Sequence, residues 1–83
     1  MKDIQIWGTD NCSYCKKAKE LLETHRFQYD YFDALDEHVK FSTLFPNATK
    51  VPQIIFRGEH VGGYDGLCKA FEEQNIFIGG GSF

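Results

Sequence analysis

Three observations predict an α/β fold with a mixed four-stranded sheet flanked by three helices. Residues 4–7 and 27–32 alternate apolar and polar side chains, the period-two pattern of a half-buried strand, and 53–56 is a short apolar run between breakers. Residues 13–25, 33–45 and 65–75 carry apolar side chains at helical spacing. Breakers stand where one pattern gives way to the next: Gly8-Thr9-Asp10-Asn11, Pro46-Asn47, Arg57-Gly58-Glu59 and Gly62-Gly63.

Taken in order, Ile4-Gln5-Ile6-Trp7 is a first strand that runs into a polar loop. In the first helix Ala18, Leu21 and Leu22 share one face, while Lys16, Lys17, Lys19, Glu20 and Glu23 are polar. The aromatic-rich stretch from Phe27 to Phe32 suits a second strand. The second helix should turn Leu35, Val39 and Leu44 or Phe45 inward and stop at Pro46. Gln53-Ile54-Ile55-Phe56 is a third strand, Arg57-Gly58-Glu59 a turn and His60-Val61 a brief fourth strand. The last helix turns Leu67, Ala70 and Phe71 inward. A helix joining the first two strands calls for a right-handed crossover and parallel pairing. The tight turn between the last two calls for antiparallel pairing. Together these make a layered arrangement of thioredoxin type.

A chain of 83 residues supports one domain, expected over residues 1–78. The Gly79-Gly80-Gly81-Ser82 run marks residues 79–83 as a flexible tail. Net charge is −3 and the pI is near 5.5, which argues against a nucleic-acid binder. No long apolar run follows Met1, so neither a signal peptide nor a membrane span is expected. The default expectation is a cytoplasmic monomer. Three cysteines, an odd number, do not read as an extracellular disulfide framework.

Two of those cysteines carry the chemistry. Cys12-Ser13-Tyr14-Cys15 sits where the first helix begins. A helix N-terminus offers unpaired N–H groups and a partial positive charge, and both favour a thiolate over a thiol. Such placement lowers a cysteine pKa from about 8.5 to roughly 3.5–7.5. Lys16, Lys17 and Lys19 add nearby positive charge. Cys12, at the helix start, is assigned as nucleophile, and Cys15, a turn further in, as the shielded resolving thiol. A zinc site needs four ligands, and His25, His38, His60 and Cys68 are scattered over separate elements. Passive burial is the other alternative, but this spacing in a strand–helix–strand context is a redox signature.

Cys12-Ser13-Tyr14-Cys15, Lys50-Val51-Pro52-Gln53-Ile54 and Val61-Gly62-Gly63-Tyr64-Asp65, in this order, resemble the glutaredoxin family. Leu44-Phe45-Pro46 ahead of the Val-Pro step resembles the short members from bacteria and tailed phages. The resemblance implies a glutathione-dependent thiol–disulfide oxidoreductase of thioredoxin-like fold. It implies a cis peptide before Pro52, with the Val51 backbone beside the nucleophile and the cysteinyl part of glutathione. It places Tyr14, Lys50, Val51, Pro52, Gly63, Tyr64 and Asp65 around glutathione, with Gly63-Tyr64-Asp65 at the γ-glutamyl end. Asp65 equally suits a helix cap, and Tyr14 equally suits packing. Disulfide-bearing or glutathionylated proteins, ribonucleotide reductase among them, are the implied clients, and a phage-encoded chain would act in the host cytoplasm.

The chain departs from the family pattern in ways that matter. Ser13 replaces the usual proline after the first cysteine, which leaves open a [2Fe–2S] cluster shared through Cys12 by two glutathione-bound subunits. No other metal is expected. Thr9 stands where many members carry lysine, so the usual contact to a glutathione carboxylate is missing there, and Lys50 or Lys16 is the candidate to replace it. A thioredoxin recycled by a reductase protein is a third reading, opposed by the missing Trp-Cys-Gly-Pro-Cys loop. Cys68 reads as a small buried hydrophobe, with a regulatory thiol as the alternative.

Overall fold

The structure, a computed structural model, describes residues 3–76. Its elements follow the order β1 (Gln5–Gly8), α1 (Ser13–Thr24), β2 (Asp30–Asp33), α2 (His38–Leu44), β3 (Gln53–Phe56), β4 (Glu59–Gly62) and α3 (Tyr64–Glu73). The four strands form one sheet in the order β2-β1-β3-β4. β1 pairs parallel with β2 and antiparallel with β3, and β3 pairs antiparallel with β4. The thioredoxin-like architecture and both sequence-derived pairings are therefore present. The 79–83 tail lies outside the described residues.

Alternation along the strands divides the sheet into two faces. Ile4, Ile6, Ile54 and Phe56 join Ala18, Leu21 and Leu22 of α1 and Leu67, Ala70 and Phe71 of α3 in one core. Ile6, Leu22, Phe56 and Phe71 lose all solvent contact, and each such side chain contributes about 1.5–3 kcal/mol. Phe27, Phe56 and Phe71 meet in tilted and edge-on ring contacts at 5.3–5.7 Å between centroids. Trp7 points to the opposite face. There it stacks on Phe32 at 4.4 Å and meets Phe45 edge-on at 6.1 Å.

Two elements are shorter than their patterns suggest. Phe27 is not strand, because its N–H closes the end of α1 on the Leu22 carbonyl while Arg26 adopts a left-handed φ of 61°. The β2 ladder begins only at Asp30, whose N–H bonds the Ile4 carbonyl. Helix α2 starts at His38 rather than residue 33. The Asp33 carboxylate accepts from the N–H groups of Leu35 and Asp36 at 2.8 and 3.2 Å, and this turn competes with helix.

The inward face expected for α2 is corrected as well. Leu35, Val39 and Leu44 are 73%, 67% and 50% exposed, while Phe45 is 4% exposed. Phe41 and Phe45, one turn apart, anchor α2 against Trp7 instead. Replacing Phe71 by Ala is expected to remove about 3–5 kcal/mol of unfolding free energy. Replacing Leu35 by Ala should change it by less than about 0.5 kcal/mol. Urea denaturation of the two variants measures the contrast.

Candidate active site

Helix α1 is capped by a sulfur. Cys12 is its N-cap residue, with extended backbone at φ −95° and ψ 113°. Its Sγ accepts from the Cys15 N–H at 3.1 Å. An N-cap side chain normally offers oxygen to this orphan donor; here a sulfur takes that place. The first turn of α1 holds no acidic residue, so no carboxylate competes for the positive end of the helix dipole. Cys12 remains partly open to solvent, whereas Cys15 is fully buried. The two Cα atoms are 5.2 Å apart and the sulfurs 2.50 Å apart, so the pair stands at disulfide distance.

Burial of Cys15 depends on Gly8, the last residue of β1. A Cβ on Gly8 would lie 2.5 Å from the Cys15 Sγ and 3.1 Å from its Cβ. The strand end must be glycine for the helix to seat its second cysteine against the sheet.

The Val51–Pro52 peptide is cis. It brings the Val51 carbonyl oxygen to 3.7 Å from the Cys12 Sγ. The loop is held from below by Gln53, whose Nε2 donates to the Lys50 carbonyl at 3.0 Å. In turn, His60 Nε2 donates to the Gln53 Oε1 at 2.8 Å.

Tyr14, Lys50, Val51, Pro52, Gly63, Tyr64 and Asp65 all line one groove of about 360 Å³, together with Gln53. Tyr14 and Tyr64 face each other across it with centroids 6.1 Å apart. Gly62 turns the chain into the groove wall with φ 94°, a conformation that side-chain-bearing residues seldom adopt. Gly63, not Asp65, is the N-cap of α3, and Asp65 lies exposed in the first turn without a capping bond. The cap role weighed for Asp65 is thereby removed. Lys16 does not line the groove, and Thr9 borders a separate groove that also touches Lys50 and Val51.

Cys68 is half-buried on α3. Burial pushes its thiol pKa up, and a hydrogen bond from Tyr64 only partly opposes that. Tyr64 is itself raised by burial and by the same bond. Cys68 is thus a protonated packing thiol that helps hold the groove wall. Among the described residues no group of three or more His, Cys, Asp or Glu is arranged to hold a metal ion.

The glutaredoxin family profile matches residues 4–61. This chain belongs to the glutaredoxin family. It is 38% identical over 80 residues to glutaredoxin 1 of Escherichia coli, an alignment covering 86% of this chain and 93% of that one. The solution structure of reduced Escherichia coli glutaredoxin superposes with a TM-score of 0.71 at 31% identity, covering 89% of this chain and 98% of that one. A buckwheat glutaredoxin in complex with glutathione superposes with a TM-score of 0.76 over 89% of this chain and 72% of that one; at 19% identity it attests the fold. Glutaredoxin membership and the paired cysteines make thiol–disulfide oxidoreduction the chemistry of this site.

In the sequence Gly8 reads only as a breaker after the first strand, Gln53 only as part of the Val-Pro motif and strand, and His60 only as part of a strand. A glycine at a strand end seven residues before the second cysteine, across the loop into α1, is the signal for the first. In the reduced protein, iodoacetamide is expected to modify Cys12 at lower pH than Cys68, whose thiol is pushed up by burial. Peptide mass mapping across a pH series reads that order.

Proposed function

We propose that this protein is a glutathione-dependent oxidoreductase that reduces glutathione mixed disulfides and protein disulfides. The observation that supports this most directly is one groove, lined by eight residues of three separate motifs, that reaches the cis loop beside Cys12. Glutathione is an extended tripeptide with two carboxylates and one ammonium. The groove offers each a counterpart. Lys50 and the N–H groups at the start of α3 suit the carboxylates, and Asp65 suits the ammonium. The Val51 backbone suits the cysteinyl amide.

The reaction runs as two exchanges. The Cys12 thiolate attacks the glutathionyl sulfur of a client mixed disulfide. A Cys12–glutathione bond forms, and the client leaves as a thiolate that takes a proton from water. A second glutathione thiolate then attacks the bound glutathionyl sulfur, which releases glutathione disulfide and the Cys12 thiolate. With a protein disulfide, Cys15 instead attacks Cys12 and closes the intramolecular pair. The client disulfide is reduced to two thiols while the Cys12–Cys15 pair is oxidised. Proteins with accessible disulfides, ribonucleotide reductase among them, are the proposed clients.

Cys12→Ser is expected to abolish reduction of a glutathionylated peptide, while Cys15→Ser keeps most of it and loses protein-disulfide reduction. Lys50→Glu should raise KM for the glutathionylated peptide about tenfold with little change in kcat, a loss of about 1.4 kcal/mol of binding. A glutathione-coupled assay of the three variants tests this. Full activity in Cys12→Ser, or turnover with thioredoxin reductase in place of glutathione, rejects the proposal.

A further inference from the structure

The buried sulfur of Cys15 has a chemical need that the groove does not meet. When Cys15 resolves a mixed disulfide it must first become a thiolate, and when the Cys12–Cys15 bond is reduced Cys15 is the leaving thiolate. Both events put a negative charge on an atom with no solvent contact. A charge so placed is costly without a hydrogen-bond donor. Cys12 has the helix terminus; Cys15 lies a turn further in.

One hydroxyl reaches this spot. Tyr31 of β2 pairs with Ile6 of β1, so its side chain lies on the α1 side of the sheet. The point above Gly8 that lies 2.5 Å from the Cys15 Sγ lies 3.1 Å from the Tyr31 Oη. The missing Gly8 side chain therefore leaves a gap into which both the sulfur and the hydroxyl face. We infer that Tyr31 donates a hydrogen bond to the Cys15 sulfur while that sulfur carries charge, and so assists the resolving step. The inference rests on the two-thiol chemistry proposed above.

The surroundings keep the hydroxyl in its donor form. Burial first, then the carboxylates of Asp10 and Asp33, push the Tyr31 pKa upward, so the phenol holds its proton through the neutral range. From α1, the Lys19 ammonium sits 4.5 Å from the centre of the Tyr31 ring and anchors it beside Cys15, one helical turn away. In the resolving step the Cys15 proton passes to solvent. The Cys15 thiolate then attacks the Cys12 sulfur, a Cys12–Cys15 bond forms, and the outer thiolate departs. Tyr31 itself gains and loses no proton.

The experiment needs no glutathione. Reduced protein in a Cys68→Ser background is mixed with an aromatic disulfide that releases a coloured thiolate. Attack by Cys12 releases one equivalent, and resolution by Cys15 releases a second. Tyr31→Phe is expected to leave the first phase unchanged and slow the second about tenfold, with its pH midpoint moved upward. A Cys15→Ser control shows only the first phase. Equal second-phase rates and pH profiles in Tyr31→Phe and its parent overturn the inference, as does equal slowing of both phases, which marks a purely structural role. Absence of the first phase in the parent protein would instead reject Cys12 as the nucleophile.

Discussion

The sulfur of Cys12 takes the place that an oxygen fills at most helix starts, and the rest of the site is arranged around that substitution. Its bond from the Cys15 N–H at 3.1 Å ties the reactive atom to the end of α1. That bond strengthens when the sulfur is charged, because a hydrogen bond to an ion is worth roughly twice one between neutral groups. Folding and reactivity are thereby coupled. A helix that forms stabilises the thiolate, and the thiolate caps the helix.

Such a cap is useful only if the helix is held still and its second cysteine is kept from solvent while still facing the first. The sheet does both. Ala18, Leu21 and Leu22 bind α1 to the core shared with α3, and Gly8 lets Cys15 settle against the end of β1. The two thiols of one short motif thus occupy contrasting environments, one at a partly open helix end and one sealed against a strand. This asymmetry is what supports the proposed division into attacker and resolver.

Across from the helix, a chain of polar contacts holds the loop that completes the site. His60 donates to Gln53 and Gln53 donates to the Lys50 carbonyl, so β4, β3 and the cis loop are linked in sequence. The Gln53 amide is satisfied at both ends, which fixes its orientation and with it the height of Val51 above Cys12. On the far side of the groove Tyr64 leans on Cys68 and faces Tyr14. The groove walls are thus held by side chains that themselves carry no redox chemistry.

Patterning alone determined the strand and helix order, the parallel crossover, the antiparallel hairpin and the inward faces of α1 and α3, because period and breaker residues are local properties. The motif residues around the groove were legible through the resemblance of three short motifs to the glutaredoxin family, which places them around one ligand. Tertiary structure decided what local pattern could not. It placed β3 beside β1, turned α2 onto Phe41 and Phe45 instead of Leu35 and Val39, and shortened β2 once Phe27 closed the preceding helix. It also set Tyr31 and Gly8 around Cys15. The physical reason is the same in each case. These outcomes depend on which surfaces meet across elements far apart in the chain, and a hydroxyl becomes a partner for a sulfur only when the sheet register brings the two to one point.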